Sequence, residues 1–254
     1  MPERGQASKV PEVTLGFWII KIAATTLGET GGDTVTMTLG WGYLAGTLLF
    51  LAALVVFVLA QIAARRFHPL LYWATIIAST TFGTTMADFA DRSLGFGYPG
   101  GASLLFVLLM ATLGLWYQIA GSIAVATVAS PQTELFYWAA ITFSQTLGTA
   151  LGDWAADSGL GYDGGALVFG AALGIVTALY YRTNVSRVVL FWAAFILTRP
   201  LGATVGDFLD KSRAEGGLAI SRPFATLALA LFIIVCLALL PQRAGRHPKV
   251  EKAG

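Results

Sequence analysis

Charged residues are scarce in this sequence. Only 12% of its 254 residues are Asp, Glu, Lys or Arg, whereas a soluble domain carries about 25%. Hydrophobic residues make up 56% of the chain. This composition excludes an ordinary soluble domain and is typical of a helical protein that crosses a membrane several times. The net charge of +2 gives no basis for a nucleic-acid partner.

Cysteine and histidine are also nearly absent. The one cysteine, Cys236, lies in an apolar run, so the sequence predicts no disulfide framework. The two histidines, His68 and His247, lie near predicted helix ends. Any metal ligands must therefore be mainly oxygen atoms, and no bound cofactor is predicted. Residues 1–12 are polar and the apolar run that follows belongs to a repeat, so we expect no cleavable signal peptide.

A short motif occurs four times along the chain. Its copies share a glycine, at Gly28, Gly83, Gly148 and Gly202. An aspartate follows each glycine five residues later, at Asp33, Asp88, Asp153 and Asp207. A tryptophan precedes each glycine by ten residues, at Trp18, Trp73, Trp138 and Trp192. Because the chain has only seven tryptophans, this match indicates four tandem repeats.

Each repeat contains two apolar stretches that could cross a bilayer. A hydrocarbon core of about 30 Å requires roughly 20 residues of helix. Eight stretches come close to this length, at residues 13–33, 41–64, 69–91, 101–126, 134–157, 165–181, 187–209 and 223–240. The sequence therefore predicts an all-α, polytopic membrane protein with about eight transmembrane helices. We place the repeats in one integral membrane domain, at residues 13–66, 67–128, 132–184 and 187–241, with a basic cytoplasmic tail at 242–254.

Lysine and arginine near the predicted helix ends favour cytoplasmic termini. With both termini on one side, that side carries ten of these residues and the other side four. Because each repeat has an even number of helices, the four helices that carry the motif are expected to run parallel. They would surround a pseudo-symmetric axis along the membrane normal. Their tryptophans are expected to anchor them at the inner membrane interface.

Each predicted motif helix has two distinct faces. The shared glycine and a small residue four positions later lie together, as in Gly28 and Gly32, and this spacing allows close helix packing in lipid. Hydroxyl and carboxyl groups lie on another face, about 140° away. The candidate binding residues of the motif are Glu29, Asp33, Asp88, Asp91, Asp153, Asp157, Asp207, Asp210, Thr26, Thr81 and Thr146.

Carboxylates at membrane depth need a partner, since each costs about 2.5–3.5 kcal/mol on the insertion scale. Only two bases, Lys21 and Arg199, lie within the predicted helices, and Arg199 is interpreted as a tethered counter-ion. Other acids would then bind a mobile cation or hold a proton. Structural pairing and solvation at the outer interface are the alternatives. The candidate metal ligands are Asp33, Asp88, Asp153 and Asp207, whose oxygen atoms suit Mg²⁺, Mn²⁺ or Ca²⁺.

These features favour a transporter, with a proton-coupled exporter of a cation or of a divalent metal such as Mn or Mg as the first hypothesis. A cation channel, a membrane scaffold without transport and an intramembrane aspartate protease are the alternatives. No Ser–His pairing, phosphate loop or nucleotide motif is visible, so an enzyme is not expected. The expected partners are the lipid bilayer and a small ion or solute. Formation of a homo-oligomer is a further possibility that the sequence leaves open.

The chain resembles a family of bacterial inner-membrane proteins that carry four tandem repeats of two helices each. The four tryptophans and the glycine–aspartate spacing carry this resemblance over residues 13–240. The family is known as a repeat of unknown function. The resemblance implies a location in the inner membrane and a general expectation of transport. The fourth copy departs most, because Pro200 replaces the motif threonine and Arg199 precedes it.

Overall fold

The computed structural model describes residues 8–245, so residues 246–254 of the predicted tail lie outside the described part. It contains α1 (Leu15–Asp33), α2 (Gly42–Ala63), α3 (Pro69–Asp88), α4 (Tyr98–Ala120), α5 (Pro131–Ala155), α6 (Gly161–Arg182), α7 (Arg187–Asp210) and α8 (Arg222–Leu239). Within the described residues the only β-type pairing is one isolated bridge between Pro11 and Ala244. The all-α prediction is confirmed.

Five helical stretches of the described chain are long and apolar enough to cross a membrane. They are Gly42–Ala63, Tyr98–Ala120, Pro131–Arg182, Arg187–Asp210 and Arg222–Leu239. The third contains both α5 and α6, which follow each other through a kink at Gly159, where φ is +97°. These apolar helices are compatible with a multi-pass membrane protein. The expectation of eight crossings is not confirmed by this criterion, because α1 and α3 do not meet it and α5 and α6 count as one stretch.

The first helices of the four repeats close a ring. We call α1, α3, α5 and α7 the motif helices, since each carries one copy of the motif. α1 packs on α3, α3 on α5, α5 on α7, and α7 on α1. The remaining four, the outer helices, each pack on the motif helix of the following repeat: α2 on α3, α4 on α5, α6 on α7, and α8 on α1.

The shared glycines allow the ring to pack closely. A Cβ atom on Gly83 would lie 2.9 Å from the backbone of Gln145 on the next motif helix. Gln145 stands three residues before the glycine of its own repeat. The equivalent contacts around the ring are Gly28 with Thr80, Gly148 with Arg199 and Gly202 with Thr25. The packing of small residues is therefore confirmed, and it follows the fourfold repeat of the sequence.

The motif helices run parallel in this ring. On α1, Gly28 faces Thr80 of α3 and Gly32 faces Thr84, so the contacts advance in the same direction on both helices. The contacts of α5 with α7 and of α7 with α1 advance in the same way. The N-terminal ends of all four motif helices therefore lie at one end of the bundle, as the even number of helices per repeat predicts.

Aromatic side chains fill the bundle near the N-terminal ends of the motif helices. We call this cluster the aromatic layer; it consists of Phe17, Trp18, Tyr72, Trp73, Trp116, Tyr137, Trp138, Phe191 and Trp192. The hydroxyls of Tyr72 and Tyr137 lie 2.6 Å apart inside it. Trp73, Trp138 and Trp192 are buried. Their prediction as interfacial anchors is wrong, because they pack against neighbouring motif helices.

Three motif helices continue into a π-helical turn at the opposite end. The turns cover Thr34–Thr38, Phe89–Ser93 and Ala156–Leu160. The first two begin directly after Asp33 and Asp88. Such turns are rare and often occur at functional sites, because they shift side chains out of the α-helical register. The repeated aspartates therefore lie where the regular helices end.

Candidate cation site

Carboxylates from three motif helices meet at the C-terminal end of the ring. Glu29, Asp153 and Asp207 each have an oxygen within 4.8 Å of the others, and Asp33, Asp207 and Asp210 form a second group of the same kind. All five side chains are buried. We call Glu29, Asp33, Asp153, Asp207 and Asp210 the acid cluster.

The repeat explains this convergence. Asp33, Asp153 and Asp207 occupy the same motif position, so the ring brings them to the same level. Glu29 stands four residues before Asp33, and Asp210 stands three residues after Asp207. Because residues three or four apart lie on the same face of a helix, both additional carboxylates point to the same side as the motif aspartate.

Arg199 of α7 contacts the other three motif helices beside Glu29, the member of the acid cluster nearest the middle of the ring. Its side chain is completely buried, and its Nη2 lies 2.8 Å from Glu29 Oε2 on α1. The same Nη2 donates to the hydroxyls of Thr84 on α3 and Thr149 on α5. Arg199 itself belongs to α7. A buried arginine with a charged partner and two hydroxyl acceptors holds the ring together through one side chain.

Two bases from outside the motif helices enter the acid cluster. Lys211 Nζ lies 2.9 Å from Asp33 Oδ2 and 3.0 Å from Asp207 Oδ1. Arg222 Nε lies 3.6 Å from Asp33 Oδ2 and 3.4 Å from Asp210 Oδ2. The prediction that only two bases were available to the motif acids is wrong. Lys211 directly follows α7 and Arg222 is the first residue of α8, and both lie outside the helices predicted from the sequence.

The surroundings of Lys211 favour its charged form. Burial favours its neutral form, but the carboxylates of Asp207 and Asp33 outweigh burial and raise the pKa of Lys211. Structural pairing therefore accounts for a larger part of the acid cluster than the sequence indicates.

Asp153 is the member of the acid cluster that lacks a basic partner. Among residues 8–245, no lysine or arginine nitrogen lies within 4.0 Å of its carboxylate, and its side chain has no hydrogen bond. The residue is 7% exposed. An unpaired carboxylate beside Glu29 and Asp207 experiences repulsion that a cation or a proton would relieve.

The other predicted acids lie outside the acid cluster. Asp88 is buried, but it pairs with Arg92 at 2.8 Å, one turn later on the chain. Asp91 is half-buried in the π turn after α3. Asp157 is exposed and accepts a hydrogen bond of 2.8 Å from the Tyr98 hydroxyl. The structure therefore unites three of the four repeated aspartates and leaves Asp88 with its own counter-ion.

Within the described residues the three predicted threonines make no hydrogen bond to the acid cluster. The hydroxyls of Thr26, Thr81 and Thr146 each donate to the backbone carbonyl four residues earlier on their own helix. The threonines that contact Arg199 follow the shared glycine directly; they are Thr84 and Thr149. Their positions align with that of Glu29 in the repeat, and this alignment is the signal in the sequence that points to them.

Lys21 lies between the acid cluster and the aromatic layer, and no carboxylate of the described chain pairs with it. Its side chain is completely buried, with Nζ 3.5 Å from Gln145 Oε1 and 4.2 Å from the ring centroid of Phe195. No carboxylate of the described chain lies within 4.0 Å of Nζ. The alternative in which Lys21 neutralises motif aspartates is therefore wrong.

A polar cavity opens beside the acid cluster. We call this the outer cavity; it has a volume of about 390 Å³, and Thr38, Asp210, Ser212, Glu215 and Arg222 contribute to its lining. Because Asp210 and Arg222 also belong to the ion-pair network, the cavity adjoins the charged end of the ring. The aromatic layer fills the opposite end.

Comparison with known families is consistent with this repeat architecture. A family model described as Repeat of Unknown Function (DUF347) matches residues 16–67, 71–122, 136–186 and 190–243. Each match covers one motif helix and the outer helix that follows it. No curated protein and no solved structure matched the chain. Since the four matches cover most of its length, the chain belongs to the DUF347 repeat family and consists of four tandem copies of that repeat.

Proposed function

We propose that this protein is a membrane transporter that moves a cation in exchange for protons. The observation that carries the proposal is the buried carboxylate of Asp153, which lies beside Glu29 and Asp207 without a basic partner. Ionisable groups are costly inside a membrane, and where they occur they usually mark an ion pathway or a proton relay. The proposal includes no enzymatic activity and no resident cofactor.

The chemistry of the site favours a hard divalent cation as the transported substrate. Glu29, Asp153 and Asp207 supply only carboxylate oxygens, which suit Mn²⁺ or Mg²⁺ better than Zn²⁺ or copper. The second group is less suitable, because Lys211 or Arg222 pairs with each of its three carboxylates, whereas the first group contains the unpaired Asp153. We therefore assign the transported cation to the first group.

Binding of the cation would change the contacts of Arg199. Glu29 cannot keep its full interaction with Arg199 at 2.8 Å and also give its charge to a divalent cation. A cation at Glu29 and Asp153 would therefore weaken the ion pair of Arg199, the side chain that joins the four motif helices. This competition links occupancy of the site to the packing of the ring.

The distribution of open and closed regions supports alternating access. The outer cavity adjoins the acid cluster, whereas the aromatic layer blocks the bundle about 22 Å away along the motif helices. Close packing at the shared glycines leaves the motif helices in direct contact. These features favour a transporter that changes conformation over a permanently open channel.

In this proposal all eight helices cross the bacterial inner membrane, and both termini lie in the cytoplasm. The outer helices α8 and α2 cover part of the less apolar α1 and α3. The acid cluster then faces the periplasm through the outer cavity. The aromatic layer lies toward the cytoplasm.

Flux measurements in proteoliposomes test this function. We expect an imposed pH gradient to drive Mn²⁺ or Mg²⁺ across the membrane, as followed with a metal-sensitive dye. Asp153→Asn should abolish this flux, because it removes the unpaired carboxylate. Asp157→Asn is the matched control, since Asp157 lies one turn later and is exposed. Wild-type flux in the Asp153→Asn protein would refute the proposed site.

A further inference from the structure

An apolar groove lies on the outside of the bundle, between α1, α6 and α7. Its volume is about 590 Å³, within the range of about 300–1,000 Å³ that is common for ligand pockets. Residues 124–126, which follow α4, contribute to the lining. We call this surface the apolar groove; its walls include Trp18, Ile22, Leu173, Val176, Val188 and Phe191.

The length of the groove matches one leaflet of a bilayer. Its lining extends along α1 from Thr14 to Ile22 and along α6 from Leu173 to Tyr181. Each distance corresponds to about 12 Å of helix. Half of a hydrocarbon core is about 15 Å. One acyl chain of a single leaflet therefore has a suitable length for this groove.

One end of the groove is basic. Arg187 belongs to the lining, and its guanidinium carbon lies 4.2 Å from the ring centroid of Tyr180. Its Nη1 also donates to the carbonyl of Tyr180. These contacts hold the guanidinium in place, and within the described chain no carboxylate lies within 4.0 Å of it. A positioned arginine with free donors is suited to bidentate binding of a phosphate.

Trp18 provides an independent sign that this position is open. It is the one repeated tryptophan that is not buried, whereas its three equivalents are enclosed by neighbouring helices. Trp18 lines the groove, and its ring lies 5.7 Å from that of Phe191. The groove therefore exposes one edge of the aromatic layer, which a bound apolar chain would cover.

We propose that the apolar groove binds one anionic phospholipid, with an acyl chain along α1 and α6 and its phosphate on Arg187. A groove that is one leaflet long and basic at one end suits this ligand better than a protein segment. The positive charges predicted for the cytoplasmic side include Arg187, so the lipid belongs to the inner leaflet. This site does not depend on the transport activity proposed above, and it places a lipid against the aromatic layer.

Native mass spectrometry of the delipidated, detergent-purified protein tests this site. We expect one phosphatidylglycerol per chain to be retained in preference to phosphatidylcholine. Arg187→Gln should weaken phosphatidylglycerol binding about tenfold, because a charged hydrogen-bond donor is lost. Val176→Trp should weaken binding of both lipids by filling the groove. Arg66→Gln is the matched control, since Arg66 is an exposed arginine on the same predicted side and does not line the groove.

The variants must first elute as folded protein from size-exclusion chromatography. Equal phosphatidylglycerol binding by the Arg187→Gln and Arg66→Gln proteins would overturn the assignment of the phosphate site. Unchanged binding in the Val176→Trp protein would overturn the assignment of the acyl chain. A stable dimer that Val176→Trp disrupts would show that a second copy occupies the groove, and it would also overturn the proposal.

Discussion

The pair formed by Arg199 and Glu29 gives the sharpest test of how this ring is held together. Replacing Arg199 with Gln removes the guanidinium and leaves Glu29 buried at the centre of four helices without its base. Replacing Glu29 with Gln leaves the guanidinium buried with only the hydroxyls of Thr84 and Thr149 and a carbonyl nearby. Each single change therefore strands a charge, whereas the double change removes both charges.

The expected magnitudes follow from this geometry. Breaking a buried ion pair by removing one partner costs about 3–5 kcal/mol of unfolding free energy. At about 2–4 °C per kcal/mol for a chain of this size, each single variant should unfold about 6–20 °C below the wild type. The two glutamine amides of the double variant can bond to each other. Its loss should therefore be smaller than the sum of the two single losses by about 3 kcal/mol.

Thermal unfolding in detergent, followed by the loss of monodisperse protein, measures these differences. Arg182→Gln serves as the control, because Arg182 is exposed and its replacement should change stability by at most about 0.5 kcal/mol. Strictly additive losses in the double variant would refute the reasoning. They would show that Arg199 and Glu29 act on stability independently, despite their separation of 2.8 Å.

Two further predictions concern the glycine contacts and the cation. Gly83→Ala should destabilise the protein by about 1–3 kcal/mol in the same thermal assay, because its Cβ would lie 2.9 Å from backbone atoms. Gly114→Ala, at a helical glycine with no atom in reach of its Cβ, should stabilise it slightly. Mn²⁺ at a hundredfold excess over its Kd should add about 2.7 kcal/mol to the stability of the wild type and of Asp157→Asn. No such gain should occur in Asp153→Asn, and an equal gain there would place the bound ion elsewhere.

The helices and their order could be predicted from the sequence because the repeat is regular. The spacing of tryptophan, glycine and aspartate fixes equivalent positions in every copy, and the small residues four positions apart correctly indicate close packing. An even number of helices per repeat also gives the parallel direction. These features depend on local spacing, which a sequence contains directly.

The environment of the tryptophans could not be predicted in the same way. Spacing shows that Trp73 and Trp138 occupy the same face of equivalent helices, but it does not say whether that face meets lipid or another helix. Only the closure of the ring brings Tyr72 within 5.7 Å of Trp138 and buries both. An aromatic residue near a helix end is therefore ambiguous until the neighbouring helix is known.

The partners of the acids could not be predicted for a related reason. Lys211 and Arg222 lie outside the predicted motif helices, so a count along the sequence assigns them to solvent. In the structure the segment between α7 and α8 folds back over Asp33 and Asp210. Contacts between residues as distant in sequence as Asp33 and Lys211 depend on the tertiary fold, and the helical period carries no information about them.

The packing of each outer helix on the motif helix of the next repeat determines how the number of repeats can change. In an open solenoid a repeat can be added or removed at one end, because each unit contacts only its neighbours. Here α8 covers α1, so the array has no end at which this could happen. A fragment of the first two repeats would leave α4 without α5, on which it packs, and would leave α1 without its cover, α8. The fragment of the last two repeats supplies both of the missing helices. Residues 1–128 and 129–254 should therefore assemble into one bundle when they are produced as separate chains.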